Sequence, residues 1–389
     1  KQGDGTVRIS ASSGYSGYTF IDEGTLSIGS GGDITGSSGI DLGSAIYSGG
    51  AAAATLDLQS GASDLDRTIT VKAGAGSRTI TSAGTASISG TILQQNNLTV
   101  TANSGTLTLG AVTMNNSGEN DLNVNGAGNT TIGGVIAATS GASDINKSGS
   151  GTLTLSGNNS SLFKLNIAQG TVALNHANAL GSAYADKVNF TGSGTLQANA
   201  SIAPANLGIR VASGQTATLD VTGANTLTVG GALAVISGSG TFTKTGSGTL
   251  AISGNSTYTG SFNQNAGVTD VSDTLDASAG ITVNGGRLNV GTGAFVGDVN
   301  QNSGTVSGGG TIVGNFVQTS GVLSPGNSPG TLFVGGNATW NGGSYLWEVT
   351  TVNPGTPGTD WDYVDITGTL TIGAGYTVNV DDLNALPGW

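Results

Sequence analysis

The chain has no cysteine, one histidine and one methionine in 389 residues. Without cysteine there is no disulfide to staple a secreted fold, so stability has to come from a long continuous core. A lone histidine speaks against a histidine metal site or a Ser-His-Asp triad and leaves His176 as a loop residue. Charged residues make up only 9% of the chain, where about 25% is usual. A disordered chain that poor in charge would be poor in apolar residues too, yet 36% are hydrophobic, so the chain should be fully folded. No apolar run approaches the roughly 18 residues of a membrane helix. Eleven Lys and Arg against 23 Asp and Glu, a net charge of −12, speak against nucleic acid and anionic membrane as partners, since phosphate binding needs clustered bases. There is no initial Met and no charged-then-apolar leader, as expected of a mature or excised form. Helical periodicity is nearly absent; the best stretch, Asn175 to Ala183, is short and reads as an inserted loop.

Glycine, by contrast, is abundant, with 69 residues and no strict every-third-residue period, which sets collagen aside. Between the glycines, five-residue units recur with the pattern Gly-Thr-Leu-x-apolar, as at Gly105 to Leu109, Gly151 to Leu155, Gly248 to Ile252, Gly330 to Val334 and Gly368 to Ile372. Alternation of Thr with Leu, Ile or Val marks a half-buried strand, and Gly, Asn, Ser and Asp between the runs supply turns. Three longer segments align without gaps, opening at Lys1, Lys147 and Lys244, each with Gly at its third and fifth positions and another Gly 23 residues after the Lys: Gly24, Gly170 and Gly267. A strand of four or five residues cannot bury its apolar face alone. Coiling roughly 20–23 residues per turn into a solenoid stacks the inward Leu, Ile and Val into a column and leaves Thr, Ser and Asn in water. This predicts an all-β chain with Leu153, Leu155, Leu250 and Ile252 inward and Thr152, Thr154 and Thr249 outward. A solenoid array over residues 1–337 would be followed by a capping region over 338–389.

The block Lys-x-Gly-x-Gly-Thr-Leu-x-apolar-Ser-Gly-Asn at Lys147 to Asn158 and Lys244 to Asn255, with Tyr258-Thr259-Gly260 and then Gly267, resembles the passenger-associated transport repeat of bacterial autotransporters. The segment Leu323 to Leu332 and the run Asp362-Tyr363-Val364-Asp365-Ile366 resemble the end of such passengers. The resemblance implies a right-handed parallel β-helix, exported and displayed outside a Gram-negative-type cell. No series of ten-residue membrane strands follows, so the expectation is either release from a translocating barrel or a differently anchored fibre.

All four Trp (Trp340, Trp347, Trp361, Trp389) and five of the six Pro lie beyond residue 324, and no Lys or Arg follows Arg287. Bulky aromatics there suit an aromatic-rich C-terminal cap; a stacking patch for glycans is the alternative use. Two carboxylate pairs, Asp64 with Asp66 and Asp360 with Asp362, would each share a strand face. Because β-helices also host polysaccharide lyases and hydrolases, these are the catalytic candidates, weighed against turn and repeat roles. Neither pair comes with a histidine or a dense acidic cluster, so no enzyme activity, cofactor or metal is expected. The function expected is that of a structural or adhesive surface protein, a β-solenoid rod standing free or assembled head to tail. A carbohydrate-active β-helix enzyme and a glycan-binding module are the alternatives. End-to-end contact would join the basic first coil, with Lys1 and Arg8, to the acidic C-terminal stretch. Lys1, Arg8 and the four Trp are therefore the candidate interaction residues.

Overall fold

The computed structural model describes residues 1–43, 51–114, 120–138, 143–159, 163–182, 186–231, 236–254, 256–351 and 355–384. Among these residues all regular structure is β, and the strand ladders are parallel. Among the described residues no helix is long and apolar enough to cross a membrane. The stretch from Asn175 onward forms turns, not a helix. The chain parts into two compact units, one of residues 1–183 and 187–200, the other of residues 184–186 and 201–389.

The first unit is a solenoid with three ladders. One runs over nine strands from Thr6–Ile9 to Val188–Phe190, a second over six from Thr19–Ile21 to Ile136–Ala138, and a third over six from Ala86–Ile88 to Gly194–Ala198. Register places like on like: Leu98 lies against Leu122 and Leu122 against Ile145, while outside Asn123 meets Asn146 and Asn146 meets Asn166. The interior positions are buried and the alternate ones half-exposed, as the period-two pattern of Thr and Leu requires. On the outer face the Asn amides form a ladder of their own. Asn146 donates to Asn123 at 3.0 Å, Asn166 to Asn146 at 2.8 Å and Asn189 to Asn166 at 3.2 Å.

The second unit repeats the plan with two eight-strand ladders, from Thr216–Val221 to Leu370–Ile372 and from Thr226–Gly230 to Thr377–Asp382. A five-strand ladder runs from Thr274–Asp276 to Tyr363–Ile366, and three further strands, Ile209–Val211, Ile236–Gly238 and Thr257–Tyr258, form the remaining one. The 337/338 boundary falls inside this unit, where Phe316–Gln318 pairs with Ala338–Trp340 and that strand pairs with Leu370–Ile372. Leu153, Leu155 and Leu250 are fully buried and Ile252 is 1% exposed, with Thr152, Thr154 and Thr249 half-exposed outside.

Coil length is looser than the repeated 23-residue offset suggested. Val299 partners Phe316, 17 positions on, whereas Ala338 partners Leu370, 32 on. The ladder constrains only the strands, so extra residues are carried in the turns while register survives.

Candidate functional site

The lysine that opens each repeat block points into the coil. Lys147 is 2% exposed and Lys244 fully buried. Lys147 Nζ donates to the carbonyls of Gly149 and Gln169, and Lys244 Nζ to those of Thr245, Gly246 and Ala266 at 2.6, 3.0 and 3.2 Å. Burial pushes both ammonium groups down to about 8, with Asp220 opposing the shift at Lys244. Lys1, expected at an interaction surface, is half-buried and engaged in the same way, by the carbonyls of Gln2, Gly3 and Glu23. Arg8 is exposed on the outer side of the first strand, level with Ser27. The inward direction of the lysines was not legible in the sequence, although their fixed distance from the next turn glycine was the available signal.

The tryptophans are not gathered into one surface. Trp340 is 6% exposed and stacks on Tyr376 with centroids 5.0 Å apart, and Tyr345 lies 6.0 Å away. Tyr376 also donates to Gln318 Oε1 at 2.7 Å. These three rings form an aromatic cluster near the C-terminus, filling the interior between neighbouring coils. Trp347 is half-buried and donates its indole N–H to the Asp362 carbonyl at 2.9 Å. Trp361 is half-buried in a bridge to Val349 and Pro357, and Trp389 lies outside the described residues. Beyond the cluster, Leu370, Ile372, Val378 and Val380 are 40–57% exposed. They stand level with Ala338, Trp340, Tyr345 and Trp347 of the coil before, so an apolar inner face is uncovered there.

Three of the four candidate carboxylates, Asp64, Asp360 and Asp362, accept backbone amides. Asp362, 2% exposed, accepts the amides of Gly330 at 2.9 Å and Glu348 at 3.1 Å. Burial, reinforced by Glu348, nevertheless pushes its carboxyl up to about 7. Asp360 accepts the Thr356 amide at 2.7 Å. Asp64 accepts the Ser89 amide at 3.0 Å, and Asp66 pairs with Arg67 at 3.3 Å on an exposed turn. His176 accepts the Asn178 amide at Nδ1, 3.1 Å. Among the described residues no group of three acidic or histidine side chains could hold a metal ion. Asp64 and Asp362 thus tie one coil to another, whereas Asp66 and Asp360 hold local contacts.

At the first coil a cavity of about 550 Å³ is lined by Val7, Ile9, Tyr15, Tyr18 and Asp22, among others. Val7 is 47% and Tyr18 50% exposed there. Asp22 is 1% exposed and neither of its carboxylate oxygens has a hydrogen-bond partner.

Comparison with known protein families matches three segments, residues 1–28, 145–174 and 242–290, to the passenger-associated-transport-repeat model. These contain the three lysine blocks and the glycines that follow them. No curated protein and no solved structure matches the chain.

Proposed function

We propose a function from one premise: the chain carries passenger-associated transport repeats on a β-solenoid, the make-up of an autotransporter passenger domain. It is a non-enzymatic structural or adhesive protein displayed on the surface of a Gram-negative-type cell. The observation that carries this is the use of the repeat blocks. Their Leu, Val and Ile fill the coil interior, their lysines hold the turns, and the outer side chains are mostly Thr, Ser and Asn, a large uncharged surface suited to display. Expressed with its native precursor in a Gram-negative host, the protein should be shaved from intact cells by added protease and should raise attachment of those cells to surfaces. Protection from protease on intact cells would overturn the display reading, and attachment unchanged from a deletion strain the adhesive one.

The non-enzymatic part is tested separately. Pure protein should release no oligosaccharide from any glycan in a broad panel. Depolymerisation abolished by Asp64→Ala or Asp362→Ala would reverse it in favour of a β-helix carbohydrate enzyme.

Head-to-tail association is the finer part of the proposal. The inner faces of the first and last described coils both expose apolar residues. Arg8 stands at the first coil beside Asp4, Asp22 and Glu23, and Asp365, Asp381 and Asp382 stand at the last. Apolar surface uncovered on two different faces favours a heterologous contact, which forms an open filament when rotation does not close it. Sedimentation should show concentration-dependent growth; monomer at every concentration would remove this part alone.

A further inference from the structure

We propose that the glycine turn reached by each repeat lysine forms a cage of backbone carbonyls open to the interior, built to bind N–H donors, and that the repeat lysine is a tethered ammonium ion filling that cage. The lysines that open the three repeat blocks make the same contacts. Lys1, Lys147 and Lys244 each reach a carbonyl one or two residues onward and another 22 residues onward. A single side chain thereby joins two successive turns. The glycine completing each cage cannot be anything larger. A methyl group built on Gly170 would lie 2.8 Å from Lys147 Nζ and 2.6 Å from the Gly151 carbonyl, and one on Gly267 2.8 Å from Lys244 Nζ. Both glycines also have φ near +70°, at 75° and 66°.

The second line of support comes from the coils that lack the lysine. Lys244 is level with Gln264, Gln301 is level with Gln318, and Val283 separates these two pairs in one interior column. Each of these glutamines is fully buried. Gln264 donates Nε2 to Ala266 and Gly267, Gln301 to Gly304 and Val322, and Gln318 to Gly321 and Ser344, at 2.9 to 3.2 Å. In the first unit the buried Gln94 donates to Asn96 and Asp121. A cation and a neutral amide therefore occupy equivalent places. What they share is an N–H donor presented to carbonyl oxygens in a place closed to water, where an unmet carbonyl is costly. The cage selects for that donor, and its chemical class of ligand is a primary ammonium or amide.

The test uses the whole chain. Lys244→Gln should leave the urea midpoint close to that of the parent. Lys244→Met, similar in length but without donors, should lower it. Lys244→Ala, which vacates the cage, should be lowered as well and then be partly restored by 100 mM methylammonium chloride, which has no such effect on the parent. Tetramethylammonium chloride, equal in charge but without an N–H, should restore nothing. Should Lys244→Ala fail to fold, the comparison of Lys147→Gln with Lys147→Met carries the same information. Equal midpoints for the Gln and Met variants, or equal action of the two ammonium salts, would overturn the cage.

Discussion

At the scale of single residues, the interior is a close-packed column in which each coil contributes a few apolar side chains. Leu250 is fully buried, with Leu227 level with it on one side and Thr269 on the other. Leu250→Ala should cost about 2–5 kcal/mol, transfer energy plus cavity, read by chemical denaturation; a loss below about 1 kcal/mol would mean the column collapses around it. Gly170→Ala should cost on the order of 1–3 kcal/mol for the left-handed backbone alone, with the clash in the cage added, and circular dichroism melts will show it. Asp362 behaves differently because its carboxyl sits at about 7 in the folded chain against 3.8 ordinarily. A raised acid stabilises the fold below its unfolded value and loses that contribution as pH rises through 7. Fluorescence reports this region selectively, since all four Trp lie beyond residue 339. The fluorescence-detected unfolding midpoint should therefore fall between pH 5 and pH 8, and Asp362→Asn should flatten that slope. An unchanged slope in the variant would assign the pH response elsewhere.

At the scale of strands and turns, much was legible beforehand. Alternation of Thr with Leu at Thr152 to Leu155 dictates which side chain faces in, because a strand has no other period. What stayed hidden was the use of polar residues inside. Lys147, Lys244 and Gln318 look like surface residues in composition, and only the carbonyls of two turns, brought together by stacking, make their burial tolerable. The carboxylates were hidden for the same reason: Asp362 reads as half of an acidic pair until Gly330, 32 residues earlier, arrives beside it. The buried amines predict a pH response. Lys147 and Lys244 are held at about 8 and Lys187 at about 7, by burial first and, for Lys187, against the pull of Asp144. An unfolded lysine keeps its proton to 10.5, so between these values the unfolded chain binds more protons and stability rises with pH. Above about 10 the slope reverses, since burial raises Tyr258 and Tyr376, and the unfolded tyrosines ionise first. Urea midpoints should thus climb from pH 8 to about pH 10, and the Lys147→Gln, Lys244→Gln double variant should climb less. Identical profiles would separate the lysines from the response.

At the scale of the molecule, every strand is held by the strands of adjacent coils, so each unit behaves as a stack with nearest-neighbour cooperativity. The strands Thr6–Ile9 and Thr377–Asp382 pair on one side only among the described residues, whereas Thr305–Gly308 pairs on both. Hydrogen exchange should therefore reach Thr377–Asp382 well before Thr305–Gly308. Equal protection of the two would show that something further covers the last coil.

The outer Asn ladder has one more consequence. Its members attract one another through amide dipoles, with the carboxylates of Asp121 and Asp144 also accepting from Asn146 and Asn166, and the Debye length that governs charged surfaces shrinks from about 30 Å at 0.01 M salt to about 3 Å at 1 M. The amide-to-amide bonds hardly notice that change. Contacts made through the amides of the coil flanks should hold equally in dilute and in saline water, while contacts through charged side chains respond to every change of medium.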